Sequence, residues 1–147
     1  MRGWCAQRHI APAAGIRALP VKTATIPASA ETRRLLAVRA DERIGYRHVA
    51  LACGDTVLSV AHNWYVPGRL TAQMNRTLET TRTPFGKAVA DTHFTRQRLA
   101  AIRGRGPGCP AGTVLTHRAV LHRASDGLPI SLVVECYTRA NLMAGAR

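Results

Sequence analysis

Acidic residues are scarce in this chain and lysine is nearly missing. Eight Asp and Glu stand against 21 Lys and Arg, giving a formal charge of +13 at pH 7, and Lys22 and Lys87 are the only lysines. That balance excludes an acidic disordered segment. The cations are nonetheless scattered: the densest groups are Arg33-Arg34 and Arg103-Gly104-Arg105, far short of a basic tract. Aromatics make up 5% of residues, too few for the stacking platforms that accompany charge in many nucleic-acid binders. No nucleic-acid partner is therefore expected, and the arginine excess reads as the background of a GC-rich coding bias. With 8 prolines and 12 glycines the chain is not collagen-like or of low complexity. No apolar run approaches the roughly 18 residues of a membrane span, and Met1-Arg-Gly-Trp-Cys5 lacks a signal-peptide core.

Metal-binding patterns are missing too. Cys5, Cys53, Cys109 and Cys136 form no C-x-x-C pair, and the six histidines occur singly, with no HExxH. Cys53 and Cys136 sit in or beside apolar runs, where a thiol behaves as a small buried hydrophobe. No metal and no cofactor are expected, and the expected setting is a reduced, cytoplasmic one. The length of 147 residues fits one domain spanning 1–147, able to bury about two-thirds of its surface without staples. The opening around Trp4–Pro12 begins without a helix cap and reads as the tail of an element, pointing to a start further upstream.

Periodicity supplies the elements. Strands are expected at Ile16–Ile26, Tyr46–Cys53, Thr56–Val66, His93–Ile102, Thr113–Arg123 and Pro129–Thr138. Gly54-Asp55 and Ser125-Asp-Gly127 are hairpin signals, and the glycine-rich stretch 104–112 is a loop. Ser29 caps a short helix to Val38. Leu70, Met74 and Leu78 at i, i+4, i+8 mark an amphipathic helix over Arg69–Thr80, and Pro84 opens another short one through Ala90. The sum is an α+β fold: an antiparallel sheet of about six strands, with two or three short helices on one side and an enclosed ligand pocket.

Three features carry chemistry. Glu135 lies in the apolar strand Ile130–Tyr137, where a carboxylate either takes a raised pKa or faces a cation; the alternative is a solvent-facing position. Period-2 alternation puts Arg47 on one face with Val49, Leu51 and Cys53, where it wants an anionic partner unless it snorkels to water. The turn Thr83-Pro-Phe-Gly86 enters a helix and offers free backbone N–H groups to an anion, or serves only as a connector.

Taken together, Tyr46–Asp55 with its Arg-led strand, the second strand ending at Pro67, Thr83-Pro-Phe-Gly86 and Leu132-Val-Val-Glu135 resemble the chorismate pyruvate-lyase family over roughly residues 16 to 142. The resemblance implies cofactor-free cleavage of chorismate to 4-hydroxybenzoate and pyruvate, a reaction that feeds ubiquinone biosynthesis. It implies that Arg47 grips the ring carboxylate, that Thr83, Phe85 and Gly86 line the same end through their backbone, and that Glu135 is the catalytic acid near the ring oxygen. Phe85 stands where the family has Leu, and Asn63-Trp-Tyr-Val-Pro67 departs from its pattern. The same fold serves as the effector-binding domain of some bacterial transcription regulators, so the alternative expectation is a non-catalytic sensor of a small aromatic or cyclic carboxylate.

Overall fold

The computed structural model describes residues 15–22 and 24–141; the segment expected to be the tail of an element, Trp4–Pro12, lies outside them. Six strands form one antiparallel sheet in the order β1-β2-β3-β6-β5-β4. They are β1 (Ile16–Pro20), β2 (Gly45–Cys53), β3 (Thr56–Tyr65), β4 (Thr95–Arg103), β5 (Leu115–His122) and β6 (Pro129–Tyr137). Three helices accompany them: α1 (Ala30–Leu35), α2 (Ala72–Thr80) and the one-turn α3 (Phe85–Ala88). The architecture is the α+β antiparallel one that the hydrophobic periodicity predicts.

Local chemistry sets the boundaries. Gly54, at φ +57°, makes the left-handed turn that joins β2 to β3. The Ser29 hydroxyl accepts from Thr32 N–H at 3.1 Å and the Thr71 hydroxyl from Met74 N–H at 3.1 Å, capping α1 and α2. β1 is shorter than expected, ending at Pro20 rather than Ile26. Proline cannot donate to the ladder, and after Val21 N–H reaches His48 O (2.9 Å) the chain leaves the sheet.

Cross-strand partners share a face, which divides the sheet into two sides. One side carries the rows Arg47–Asn63–Val133–Ala119 and Val49–Ala61–Glu135–His117. The other carries Tyr46–Trp64–Leu132–Val120 and His48–His62–Val134–Arg118. α2 and α3 cover the first side through Met74, Leu78, Phe85 and Val89, packed with Tyr65 and Leu121. The one-sided arrangement expected for the helices holds for these two. α1 instead packs against the second side, because Leu35 and Leu36 bury beside Val120, Leu132 and Trp64. Arg69 fixes that end of α1: its guanidinium donates to Leu36 O (2.6 Å), Ala37 O (2.8 Å) and Pro129 O (2.7 Å).

The cysteines require a correction. Cys136 is buried as expected, but it is no free thiol: it is disulfide-bonded to Cys109 across 27 residues of sequence. Cys53 is disulfide-bonded as well, so the expectation of reduced, packed thiols fails. The Cys109–Cys136 bridge pins the glycine-rich loop to β6. Next to it His62 Nε2 donates to Gly108 O (3.0 Å), while the Tyr46 hydroxyl donates to Nδ1 (2.7 Å). The rings of His48 and His62 stack with centroids 4.1 Å apart.

Closing a 27-residue loop contributes about 3–4 kcal/mol by the chain-entropy account. The double variant Cys109→Ala/Cys136→Ala is therefore expected to lose about that much unfolding free energy in urea; an unchanged midpoint would contradict the role given to the bridge. Burial lowers the His62 pKa against the opposing effect of its Gly108 bond, and burial and His62 lower that of His48. The native state then holds these rings neutral while the unfolded chain takes up protons below pH 6.5. Stability present above that pH is lost as pH falls through it. A melting temperature that falls between pH 7 and 5, and falls less steeply in His62→Gln, is the expected outcome.

Candidate functional site

A cavity of about 580 Å³ lies between the first side of the sheet and α3, within the usual size range for a small-molecule site. Its walls are largely apolar, with Val49, Leu51, Ala61, Val133, Phe85 and Phe94 among them. Among the described residues, the charged side chains that line it are Arg47, Lys87, Arg96 and Glu135. Three cations against one carboxylate favour an anionic occupant.

Arg47 sits at one end. Its Nη2 donates to Thr83 O at 3.0 Å, whereas Nη1 is buried and makes no hydrogen bond within the described residues. Burial pushes the guanidinium pKa down, with the nearby Tyr65 phenol acting the other way. A desolvated guanidinium with one nitrogen committed and one uncommitted is stabilised by an incoming anion. The turn beside it is ordered by Thr81, whose hydroxyl donates to Thr77 O (2.7 Å) and accepts from Thr83 N–H (3.2 Å) and the Thr83 hydroxyl (2.8 Å). Pro84 then starts α3, and Ala88 N–H is the donor that reaches Pro84 O (3.0 Å). The Phe85 ring packs against Tyr65 with centroids 5.7 Å apart and walls the cavity.

Glu135 lies on the same side of the sheet and is 6% exposed. Ser59 Oγ donates to Oε2 (3.1 Å) and the Tyr137 hydroxyl to Oε1 (2.9 Å). Arg96 Nη2 stands 4.0 Å from Oε1, the facing cation that was one of the two outcomes expected for a buried carboxylate here. Burial, the Glu135 charge and the bond to it push the Tyr137 phenol pKa far up, so Tyr137 stays a donor. His117, opposite Glu135 on β5, meets the Tyr137 ring edge-on at 5.2 Å. Burial first, then Arg96 and Arg98, lower the His117 pKa against the pull of Glu135.

Of the residues expected from sequence, Arg47, Phe85, Gly86 and Glu135 line this one cavity. Thr83 stands behind Arg47 and acts through its carbonyl. Sequence reasoning missed Asn63, Lys87 and Arg96 on the lining, and Ser59 and Tyr137 as partners of Glu135. Tyr137 was open to detection: two residues from Glu135 on one strand, it must share its face. Arg96 gave no signal, because β4 carries several arginines in an exposed strand.

Comparison with known proteins places the fold. No family model matches the sequence. The chain is 44% identical to the uncharacterized protein y4mC of Sinorhizobium fredii over 154 aligned positions, covering 92% of this chain and 65% of that protein. The chain thus spans just under two thirds of the relative's length. Among solved structures, the effector domain of PhnF from Mycobacterium smegmatis superimposes with a TM-score of 0.60 at 11% identity, covering 84% of this chain and 81% of that one. A GntR-family transcriptional regulator from Enterococcus faecalis gives 0.56 at 14% identity, covering 86% and 94%. The Bacillus subtilis protein YydK gives 0.58 at 12% identity, covering 85% of this chain and 59% of that one. The fold is that of GntR-family effector domains, and no described helix is long and apolar enough to cross a membrane.

Tyr137→Phe removes a hydrogen bond donated to a buried carboxylate, with an expected loss of about 1.5–3 kcal/mol in unfolding free energy. Chemical denaturation checks it; a variant as stable as the parent would mean that the Tyr137–Glu135 bond adds nothing to folding.

Proposed function

We propose that this chain is a ligand-sensing domain whose cavity binds a small aromatic or cyclic carboxylate without transforming it. The observation that carries the reading is Arg47: a half-buried arginine in the cavity lining, held by Thr83 O through Nη2, with Nη1 enclosed and without a hydrogen-bond partner among the described residues. Lys87 and Arg96 add positive charge around the same space. The apolar walls suit a ring, and Glu135 offers an acceptor to a hydroxyl or amine on the ligand. The effector domains that share the fold support sensing over catalysis. Both oxygens of Glu135 already accept hydrogen bonds, the arrangement of a fixed acceptor rather than of a proton donor.

A second reading is favoured by the same carboxylate. Glu135 lies in the cavity with Arg47, the pair the lyase resemblance requires for cleavage of chorismate to 4-hydroxybenzoate and pyruvate. In that reaction the protein would hold the dianion, exclude water and assist proton transfer toward the departing enolpyruvyl group.

Incubation with chorismate separates the two readings. Tight binding of 4-hydroxybenzoate with no product formed is the expected result; steady release of 4-hydroxybenzoate that stops in Glu135→Ala would establish the lyase. Under either reading Arg47→Ala is expected to weaken 4-hydroxybenzoate binding by about 2–5 kcal/mol in calorimetry, and an unchanged affinity would remove Arg47 from the site.

A further inference from the structure

We infer that Asn63 is a second specificity-determining donor for the ligand's anionic group, and that Ser131 is the positioning residue that sets its orientation. The inference rests on the ligand-binding reading above and extends it to residues outside the lyase pattern.

Asn63 pairs directly with Arg47 across β2 and β3, so the two side chains leave the sheet side by side. Both line the cavity, and Asn63 is only 3% exposed. An amide in such a place presents either its oxygen or its NH2 group, and what distinguishes them is the partner of the other end. That partner is Ser131, fully buried on β6, whose hydroxyl donates to Asn63 Oδ1. Nδ2 has no acceptor among the described residues, and with Oδ1 held by Ser131 it is the amide group left for the cavity that Asn63 lines. The Arg47–Asn63 end therefore presents two donors, the guanidinium Nη1 and the amide NH2. Neither can satisfy the other, because both are donors only. A ligand oxygen with two lone pairs satisfies both, and a carboxylate offers one to each. At the other end Glu135 supplies an acceptor, with the Arg96 guanidinium beside it. The cavity thus selects ligands that carry acceptors at one end and a donor at the other, and it rejects those that bring an NH2 group to Asn63.

The test is calorimetric titration of 4-hydroxybenzoate and its neutral isostere 4-hydroxybenzamide into the full chain, parent and variants, with folding checked by circular dichroism. The parent is expected to prefer the carboxylate. Asn63→Asp, an isosteric change that places an acceptor opposite Arg47, is expected to weaken the carboxylate about a hundredfold while leaving the amide within about fivefold. Ser131→Ala frees the amide to turn, so the carboxylate-to-amide preference is expected to fall about tenfold. Equal losses for the two probes in Asn63→Asp would mark a merely structural role and overturn the inference while leaving the site intact. A parent that binds neither probe at millimolar concentration would overturn the ligand-binding reading and this inference with it.

Discussion

The burial of one guanidinium organises the side of the sheet on which the cavity lies. Arg47 projects from β2 between apolar walls, where an unpaired cation is costly. Part of that cost is met by Thr83 O, which accepts from Nη2, and the bond has a structural consequence. It ties the turn ahead of α3 to the sheet. A second tether runs from Ala18 N–H to Arg82 O at 2.9 Å, so the same segment is held by β1 and β2 together. Phe85 and Gly86 follow immediately in sequence and are carried into place over the cavity. Roof and floor are thus fixed to each other by the residue that also offers Nη1 to an anion.

The opposite side of the sheet does complementary work. On β2 and β6, the strands that carry Arg47 and Glu135, the neighbouring side chains point to the reverse and are held there. Glu135 lies between Val134 and Cys136, both buried on the reverse side, the second of them bridged to Cys109. Arg47 lies between Tyr46 and His48, and Tyr46 donates to a His62 that in turn holds Gly108 O. A strand cannot rotate about its axis while its reverse face is held, so the disulfide and the stacked rings limit how far Arg47 and Glu135 can shift. Precision at the site comes from residues that never touch it.

The elements were legible in the sequence, and the pairing between them was not. Alternation along β2 placed Arg47 with Val49 and Leu51, as observed. Extending the hairpin from Gly54-Asp55 with a regular register would oppose Arg47 to His62 and turn Asn63 to the reverse side. The structure pairs Arg47 with Asn63 because the register shifts by one between Leu51 and Ala52, and a bulge swaps the faces of everything beyond it. Leu58, fully buried at that step, carries no turn residue to advertise it. The Cys109–Cys136 bridge was equally hidden. It joins a loop to a strand with no spacing signature, and an apolar neighbourhood reads the same for a packed thiol and a half-cystine. α1 on the reverse side follows from packing partners that lie far away in sequence, Val120 and Leu132.

A site with donors at one end and an acceptor at the other recognises a ligand by polarity as well as by shape. 4-Hydroxybenzoate and chorismate share that polarity: each has a ring carboxylate and, across the ring, an oxygen substituent. They differ at the neighbouring ring carbon, where chorismate alone carries an enolpyruvyl ether. Glu135 can accept from a hydroxyl without giving up Ser59 or Tyr137, since a carboxylate has about four lone-pair positions and the two oxygens use one each for these partners. Cleaving chorismate would ask more of it, because a ring proton must then be passed toward the departing enolpyruvyl group. A hydroxylated ring carboxylate therefore brings acceptors to the Arg47–Asn63 end and a donor to Glu135. Under the proposed sensing reading the cavity needs complementarity only to the bound ligand, whereas a lyase would need complementarity to the transition state.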